Sequence, residues 1–270
     1  MRKIIALFAF VCCLTSCNVT ESIVFNEDGS GEFLVSYDMG EVMEKMGEVF
    51  GGDDLTDEGE EEEAKQVIDT VMVFSEIMET FKDSVAALPE DKRLALEAVK
   101  DMYMKMHMDE NTGEMNFGIG MKFNSISDLV DIQEKIKMAQ GLNSQGGQVD
   151  AMKNNTPLGK FMGNDNNGVS YNYTANGFSR ETTIIVPEEE DAIDPEELFN
   201  SDDPSEKEIM EYFEKAFYNV KLTFPKAIKS TNIEGAELSK DRKTITYKAN
   251  WIEYIKNPKL LDSKIEFVDE

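Results

Sequence analysis

Residues 64–123 read AKQVIDTVMVFSEIMETFKDSVAALPEDKRLALEAVKDMYMKMHMDENTGEMNFGIGMKF, and a change of period inside this stretch decides the fold class. Val67, Val71, Phe74, Met78, Phe81, Val85 and Leu88 are spaced alternately four and three apart. That spacing predicts a helix over residues 64–88 with one apolar stripe, ended by Pro89. A second helix is expected from Glu90 to about Asp101, making a helical hairpin. From Tyr103 the period falls to two. Met104, Met106 and Met108 alternate with Tyr103, Lys105 and His107, and Met115, Phe117, Ile119, Met121 and Phe123 alternate on the return. Asp109-Glu110-Asn111-Thr112-Gly113 supplies the turn between them, so residues 103–123 read as a β-hairpin.

The same alternation of hairpin and helix continues outward. Before this stretch, Ile23–Phe25 and Phe33–Tyr37 flank the turn Glu27-Asp28-Gly29-Ser30-Gly31. After it, Ser127–Ala139 carries Leu129, Ile132, Ile136 and Ala139 on one helical face. Val169–Thr174 and Phe178–Val186 flank Asn176-Gly177, a strong two-residue hairpin signal. Ser205-Glu206-Lys207-Glu208 fits a capping box for a helix with Ile209, Tyr212, Phe213, Ala216 and Phe217 on its apolar side. The end is β-rich, with strands expected at 220–224, 237–239, 244–247 and 264–268 and one helical turn at 251–257. The expected class is α+β, with antiparallel β-hairpins forming a sheet and amphipathic helices packed on one face. The segments are 1–16, 17–63, 64–186 and 187–270, with 18–270 also compatible with one domain.

Composition narrows the function. The 270 residues hold 54 acids against 27 bases, a formal net charge of −27. Nucleic acid is excluded as a partner, because phosphate binding needs a basic surface. Two acidic runs, 51–63 and 188–203, read as solvated loops, since like charges repel and carry little apolar surface to order them.

The N-terminus carries the clearest motif. Met1-Arg2-Lys3 precedes an uninterrupted apolar run, Ile4–Leu14. Eleven residues rise about 16 Å as a helix, too short to span a bilayer, which fits the apolar part of a secretory leader. Leu14-Thr15-Ser16-Cys17 then resembles the lipobox of bacterial lipoproteins. The resemblance implies a leader of residues 1–16, cleavage before Cys17, and a palmitate-type diacylglyceryl group on the Cys17 thiol. All three cysteines, Cys12, Cys13 and Cys17, lie in this region, so the processed chain would keep no free thiol for a disulfide, metal site or nucleophile. The run Thr223-Phe224-Pro225 and then Gly235–Tyr247 resembles the β-rich domain of the mycobacterial LppM-type lipoproteins. The whole is similar to cell-envelope lipoproteins of the Bacteroidetes type. That implies a non-enzymatic binding or structural module on the membrane, with an envelope protein as possible partner. Asn18 is not the Asp that favours inner-membrane retention in enteric lipoproteins, which points to the outer membrane facing the periplasm.

Other chemistries have partial signatures in the sequence. Met102, Met104, Met106 and Met108 with His107 form a Met-rich set of the kind that holds Cu(I) through thioethers. Alternate methionines on a strand equally make an apolar face, and His107 would point to the opposite side. Asn26, Asp28, Ser30 and Glu32 have calcium-loop spacing, but the twelfth position is Tyr37 rather than Glu, which leaves a hairpin turn. No cofactor motif is present: Gly118-Ile119-Gly120 lacks the third glycine of a dinucleotide fingerprint, and no serine-hydrolase, zinc-protease or phosphate-loop motif occurs. An envelope hydrolase remains an alternative, requiring two carboxyl groups about 5–10 Å apart in one cleft. No catalytic residue stands out among the 54 acids.

Overall fold

The computed structural model describes residues 18–38, 67–142, 167–184 and 214–269, with 40, 207 and 211 as single positions. The leader with Cys17, both acidic runs and the capping box at 205–208 lie outside the described residues, apart from Lys207.

Strands β1 (Asn18–Phe25) and β2 (Gly31–Asp38) form the expected first hairpin, closed by Gly29 at φ 85°. Glycine takes that left-handed conformation without the Cβ clash that penalises other residues. β3 (Val67–Val73) follows, then helices α1 (Phe74–Thr80), α2 (Lys82–Ala86) and α3 (Glu90–Ala98). The long helix expected over 64–88 is therefore corrected to an edge strand followed by two short helices. Val67, Ile68, Thr70, Val71 and Val73 are β-branched, and β4 (Met102–Asp109) offers them a full antiparallel ladder, Val67↔Asp109 through Val73↔Tyr103. The apolar stripe dissolves accordingly: Phe74 is buried at 4% exposure, whereas Val67, Val71 and Phe81 are exposed at 58%, 55% and 57%. Glu76 and Glu79 face water, as the stripe required.

β5 (Glu114–Phe123) returns from β4 as read from the alternation. The next helix is split. A 3-10 turn at Ile126–Leu129 is capped by Ser125 and Asp128, Asp131 takes a left-handed φ of 61°, and α4 runs Ile132–Leu142. Leu129, Ile132, Ile136 and Ala139 are nonetheless all buried together, so the apolar face survives the break. β6 (Gly168–Thr174) and β7 (Gly177–Thr183) make the hairpin around Asn176-Gly177. The C-terminal part holds β8 (Phe217–Thr223), β9 (Ile228–Thr231), β10 (Glu237–Leu238), β11 (Thr244–Asn250), helix α5 (Trp251–Lys256), a 3-10 turn (Pro258–Leu261) and β12 (Ser263–Phe267).

The described strands form two sheets, one of eight strands in the order β10-β11-β8-β1-β2-β5-β4-β3 and one of four in the order β6-β7-β12-β9. The fold is α+β with open sheets. Among the described strands all pairings are antiparallel except β1 with β8, which run parallel with Asn18 beside Phe217, so the large sheet is mixed rather than purely antiparallel. Each sheet draws strands from well-separated parts of the chain, and β1 is interior, paired on both sides.

The register fixes two faces on the large sheet. The inner face carries Val19, Glu21, Ile23 and Phe25 of β1 beside Phe33 and Val35 of β2, with Ile119, Met121 and Phe123 of β5 next to them. The small sheet covers the β1–β2–β8 side of that face: Phe25 packs on Phe178, Phe33 on Tyr171, and Phe224 on Phe267. Phe74, Leu96 and Val99 of the helical segment, with the four α4-region residues named above, join the same core. The outer face carries Glu32, Leu34, Tyr103, Lys105, Gly118, Gly120 and Lys122.

Candidate functional site: an outer-face groove and a buried charged centre

The outer face holds a groove of about 310 Å³ lined by Glu32, Val71, Val73, Asp101, Tyr103, Lys105 and Lys122. Two glycines make it possible. Gly120 lies between Leu34 on β2 and Tyr103 on β4 in the pairing, and Gly118 between Ser36 and Lys105. With no side chain at 120, the Tyr103 ring lies across β5; a Cβ there would sit 2.6 Å from the Tyr103 hydroxyl and 2.5 Å from the Phe33 carbonyl oxygen. Reaching over β5, the Tyr103 hydroxyl donates to Glu32 Oε1 at 2.5 Å. Lys105 Nζ stands 3.6 Å from the same oxygen and 5.0 Å from the Tyr103 ring centre, adding a cation–π contact. Burial, with the hydrogen bond to Glu32 in the same direction, pushes the Tyr103 hydroxyl well above the ordinary tyrosine range. It is therefore a fixed donor at neutral pH and no base. The groove combines an apolar wall, two lysines and two acids, of which Glu32 is already engaged.

A second polar centre lies between the sheets. Arg180 of β7 donates from Nε and Nη2 to the two oxygens of Glu21 at 3.0 and 3.2 Å, and from Nη1 to Thr182 Oγ1 at 3.2 Å. Tyr218 donates to Glu21 Oε2 at 3.1 Å, and Asp262 stands 3.9 Å from Arg180 Nη1. Glu21 and Arg180 are both 0% exposed. Burial is the largest influence and opposes the guanidinium charge, but Glu21, with Tyr171 and Tyr218 pushing the same way, holds Arg180 above its ordinary value. Burial also pushes the Tyr218 and Tyr171 hydroxyls up, and the Glu21 charge pushes the same way. The charged groups of this centre, Glu21 and Arg180, are spent on each other and on Thr182 and Tyr218.

The residues singled out from the sequence are placed as follows. Cys17 lies outside the described residues, and the first described strand starts at the next residue, Asn18. Met102 and Met104 are buried at 1% and 6%, while Met106 and Met108 are half-buried on the same inner face. His107 is on the outer face, with Nε2 3.9 Å from Glu114 Oε2. Among the described residues, no group of three or more His, Cys, Asp or Glu side chains converges as a metal site. Asp28 accepts from the Ser30 hydroxyl and backbone amide, which hold its carboxyl below the usual range. Asp109 is lowered similarly by the Asn111 amide and side chain. Both are turn contacts of the Asx type.

Sequence reasoning missed the Glu21–Arg180 pair and the Tyr103–Glu32 contact. The signal for the first was present: Glu21 shares its strand phase with Val19, Ile23 and Phe25, and Arg180 shares its phase with Phe178 and Thr182. A charge of each sign at an inward position is a candidate buried pair. The second needed the strand order, which periodicity does not supply.

The chain matches no known protein-family profile and no curated protein. Among solved structures it is similar to the folded domain of the LppM protein of Mycobacterium tuberculosis, determined by NMR. That likeness has a TM-score of 0.37 and 10% sequence identity, over 94% of this chain and 91% of that one. It is too distant to carry an argument about fold or function. Among the described residues, no helix is long and apolar enough to cross a membrane.

Proposed function

We propose that this chain is a lipid-anchored protein of the bacterial cell envelope, of the Bacteroidetes type, in which Cys17 is the lipidated first residue of the mature protein and the folded body is a non-enzymatic binding or structural module. The observation that carries this reading is the order of the N-terminal motif: Met1-Arg2-Lys3, the apolar run Ile4–Leu14, and then Leu14-Thr15-Ser16-Cys17 directly before the strand residues that start at Asn18. The outer membrane, facing the periplasm, is the proposed location, in keeping with Asn18 after the anchor. The groove at Tyr103 is the proposed contact surface for a small ligand or an envelope protein.

The support for a binding role lies in how the polar groups are used. Tyr103 and Lys105 fix Glu32, and Glu21 and Arg180 satisfy each other, leaving Lys122 and Asp101 at the groove rim to meet a ligand. The test is Cys17→Ala expressed in a lipoprotein-processing host with labelled fatty acid. Loss of label and of membrane fractionation is expected; a variant still labelled and membrane-bound refutes the anchor.

One observation favours a second reading, a carboxylate-dependent hydrolase: Glu32 and Asp101 line the same groove. That reading requires one acid to hold a proton for the leaving group while the other acts as base or nucleophile. It predicts turnover of a cell-wall glycan by the mature protein that Asp101→Asn and Glu32→Gln each abolish.

A further inference from the structure

The two ends of the large sheet differ in how their apolar residues are covered. At the end carrying the Asn26–Ser30 turn, Phe25, Phe123, Phe178, Phe224 and Phe267 interlock, none above 4% exposed. At the end where β1 begins, Tyr37, Phe117, Met106, Met108 and Met115 share the inner face but are only half-buried. They are neighbours by register: Tyr37 pairs with Phe117, Phe117 with Met106, and Met108 with Met115. Helix α5 starts at this end too. Asn18 pairs with Phe217, Phe217 with Asn250, and Trp251 follows. Trp251, Ile252, Tyr254 and Ile255 are all half-buried, and Trp251 is the only tryptophan in the chain.

We infer that this end of the molecule is the surface that rests on the lipid bilayer, with the half-buried rim and Trp251 at headgroup level. The inference rests on the lipid-anchor reading and adds an orientation to it. Consecutive Cα atoms are about 3.8 Å apart, so an acylated Cys17 lies within one residue of an interior strand paired on both sides. No linker separates anchor from sheet, and the acyl chains bring this end, not the phenylalanine end, to the membrane. The residues there suit the place. Tryptophan and tyrosine favour the interface because each joins an apolar ring to a polar tip, and methionine adapts to irregular apolar surroundings. Charge does not do the holding. The chain carries a formal net charge of −27, and at this end Asp38, Asp109 and Glu110 outnumber Lys248 and Lys256 beside Trp251, so anionic lipid offers no net attraction. Contact is therefore set by the anchor and apolar surface and is insensitive to salt.

The test uses the mature lipidated protein in phosphatidylethanolamine–phosphatidylglycerol vesicles, recovered by flotation. Lipids brominated near the glycerol end of the acyl chains should quench Trp251 and leave its emission blue-shifted, equally at low and high salt. In Trp251→Phe/Glu27→Trp, the reporter sits in the exposed turn at the far end, roughly 25 Å away by strand length, and should stay unquenched. Floated protein in which Trp251 is quenched no more than the Glu27 reporter overturns this orientation and leaves the anchor intact. Protein that neither floats nor carries lipid overturns the anchor and the orientation with it.

Discussion

Arg180 and Glu21 are 159 residues apart in sequence and meet side-on through two hydrogen bonds between the small sheet and the large one, both wholly removed from water. A buried charge left alone is far more costly than a buried pair. Arg180→Met or Glu21→Gln alone should therefore destabilise the protein by about 3–5 kcal/mol. The double variant Glu21→Leu/Arg180→Met should recover much of that loss, because neither charge is stranded. Urea denaturation of the three proteins checks this through their midpoints; a double variant as unstable as the sum of the singles would contradict it.

The tyrosines around this pair and in the groove set the alkaline limit. Tyr103, Tyr171 and Tyr218 are held above the ordinary value when folded, chiefly by burial. In the unfolded chain they ionise near pH 10. Above that pH the folded state binds more protons than the unfolded one, so stability falls as pH rises. Their contribution is complete below about pH 10 and is lost progressively above it. Tyr103→Phe should flatten the fall in stability between about pH 10 and 12, read from thermal melts, relative to the parent protein.

The groove depends on the absence of one side chain. Gly120→Ala places a Cβ against both the Tyr103 ring and the Phe33 backbone, and the backbone contact has no easy escape. Loss of about 1–3 kcal/mol is expected, as for overpacking, with the Tyr103–Glu32 contact broken. Tyrosine absorbance titration should then show Tyr103 ionising at lower pH than in the parent. Gly118→Ala has its one tight contact with the end of the Leu34 side chain at 3.1 Å, its other neighbours lying at 3.6 Å or beyond, and should be milder.

The methionine strand packs as apolar surface. Met102 and Met104 are enclosed, and His107 is on the other face. Met106→Leu conserves volume and should change stability by less than about 1.5 kcal/mol. Titration with Cu(I) under reducing conditions should reveal no tight stoichiometric site. Tight 1:1 binding removed by Met104→Leu and Met106→Leu together would reinstate the metal reading.

Hairpins were legible because their turn residues and period-two alternation are local: Gly29, Asn176-Gly177 and the Asp109–Gly113 turn each stand where the turn chemistry placed them. Residues 67–73 carry a helical spacing because Val67 and Val71 fall in phase with Phe74 and Met78, so an edge strand and the helix after it share one apolar period. Partner strands decide such a case, and β4 lies 30 residues further on. The parallel pairing of β1 with β8, and the division into two sheets, depend on contacts across some 200 residues that no window of sequence contains. The groove was unreadable for the same reason: Glu32, Tyr103 and Lys122 meet only once β2, β5 and β4 are set in order.

The anchor on Cys17 is the claim from which the proposed location and orientation both follow. Its most direct test is intact mass spectrometry, with N-terminal peptide sequencing, of the protein extracted from cell membranes. The account predicts a chain that starts at Cys17 and carries the added mass of a diacylglyceryl group, with or without a further amide-linked acyl chain. A chain that retains Met1–Ser16, or starts elsewhere with an unmodified Cys17, would contradict it.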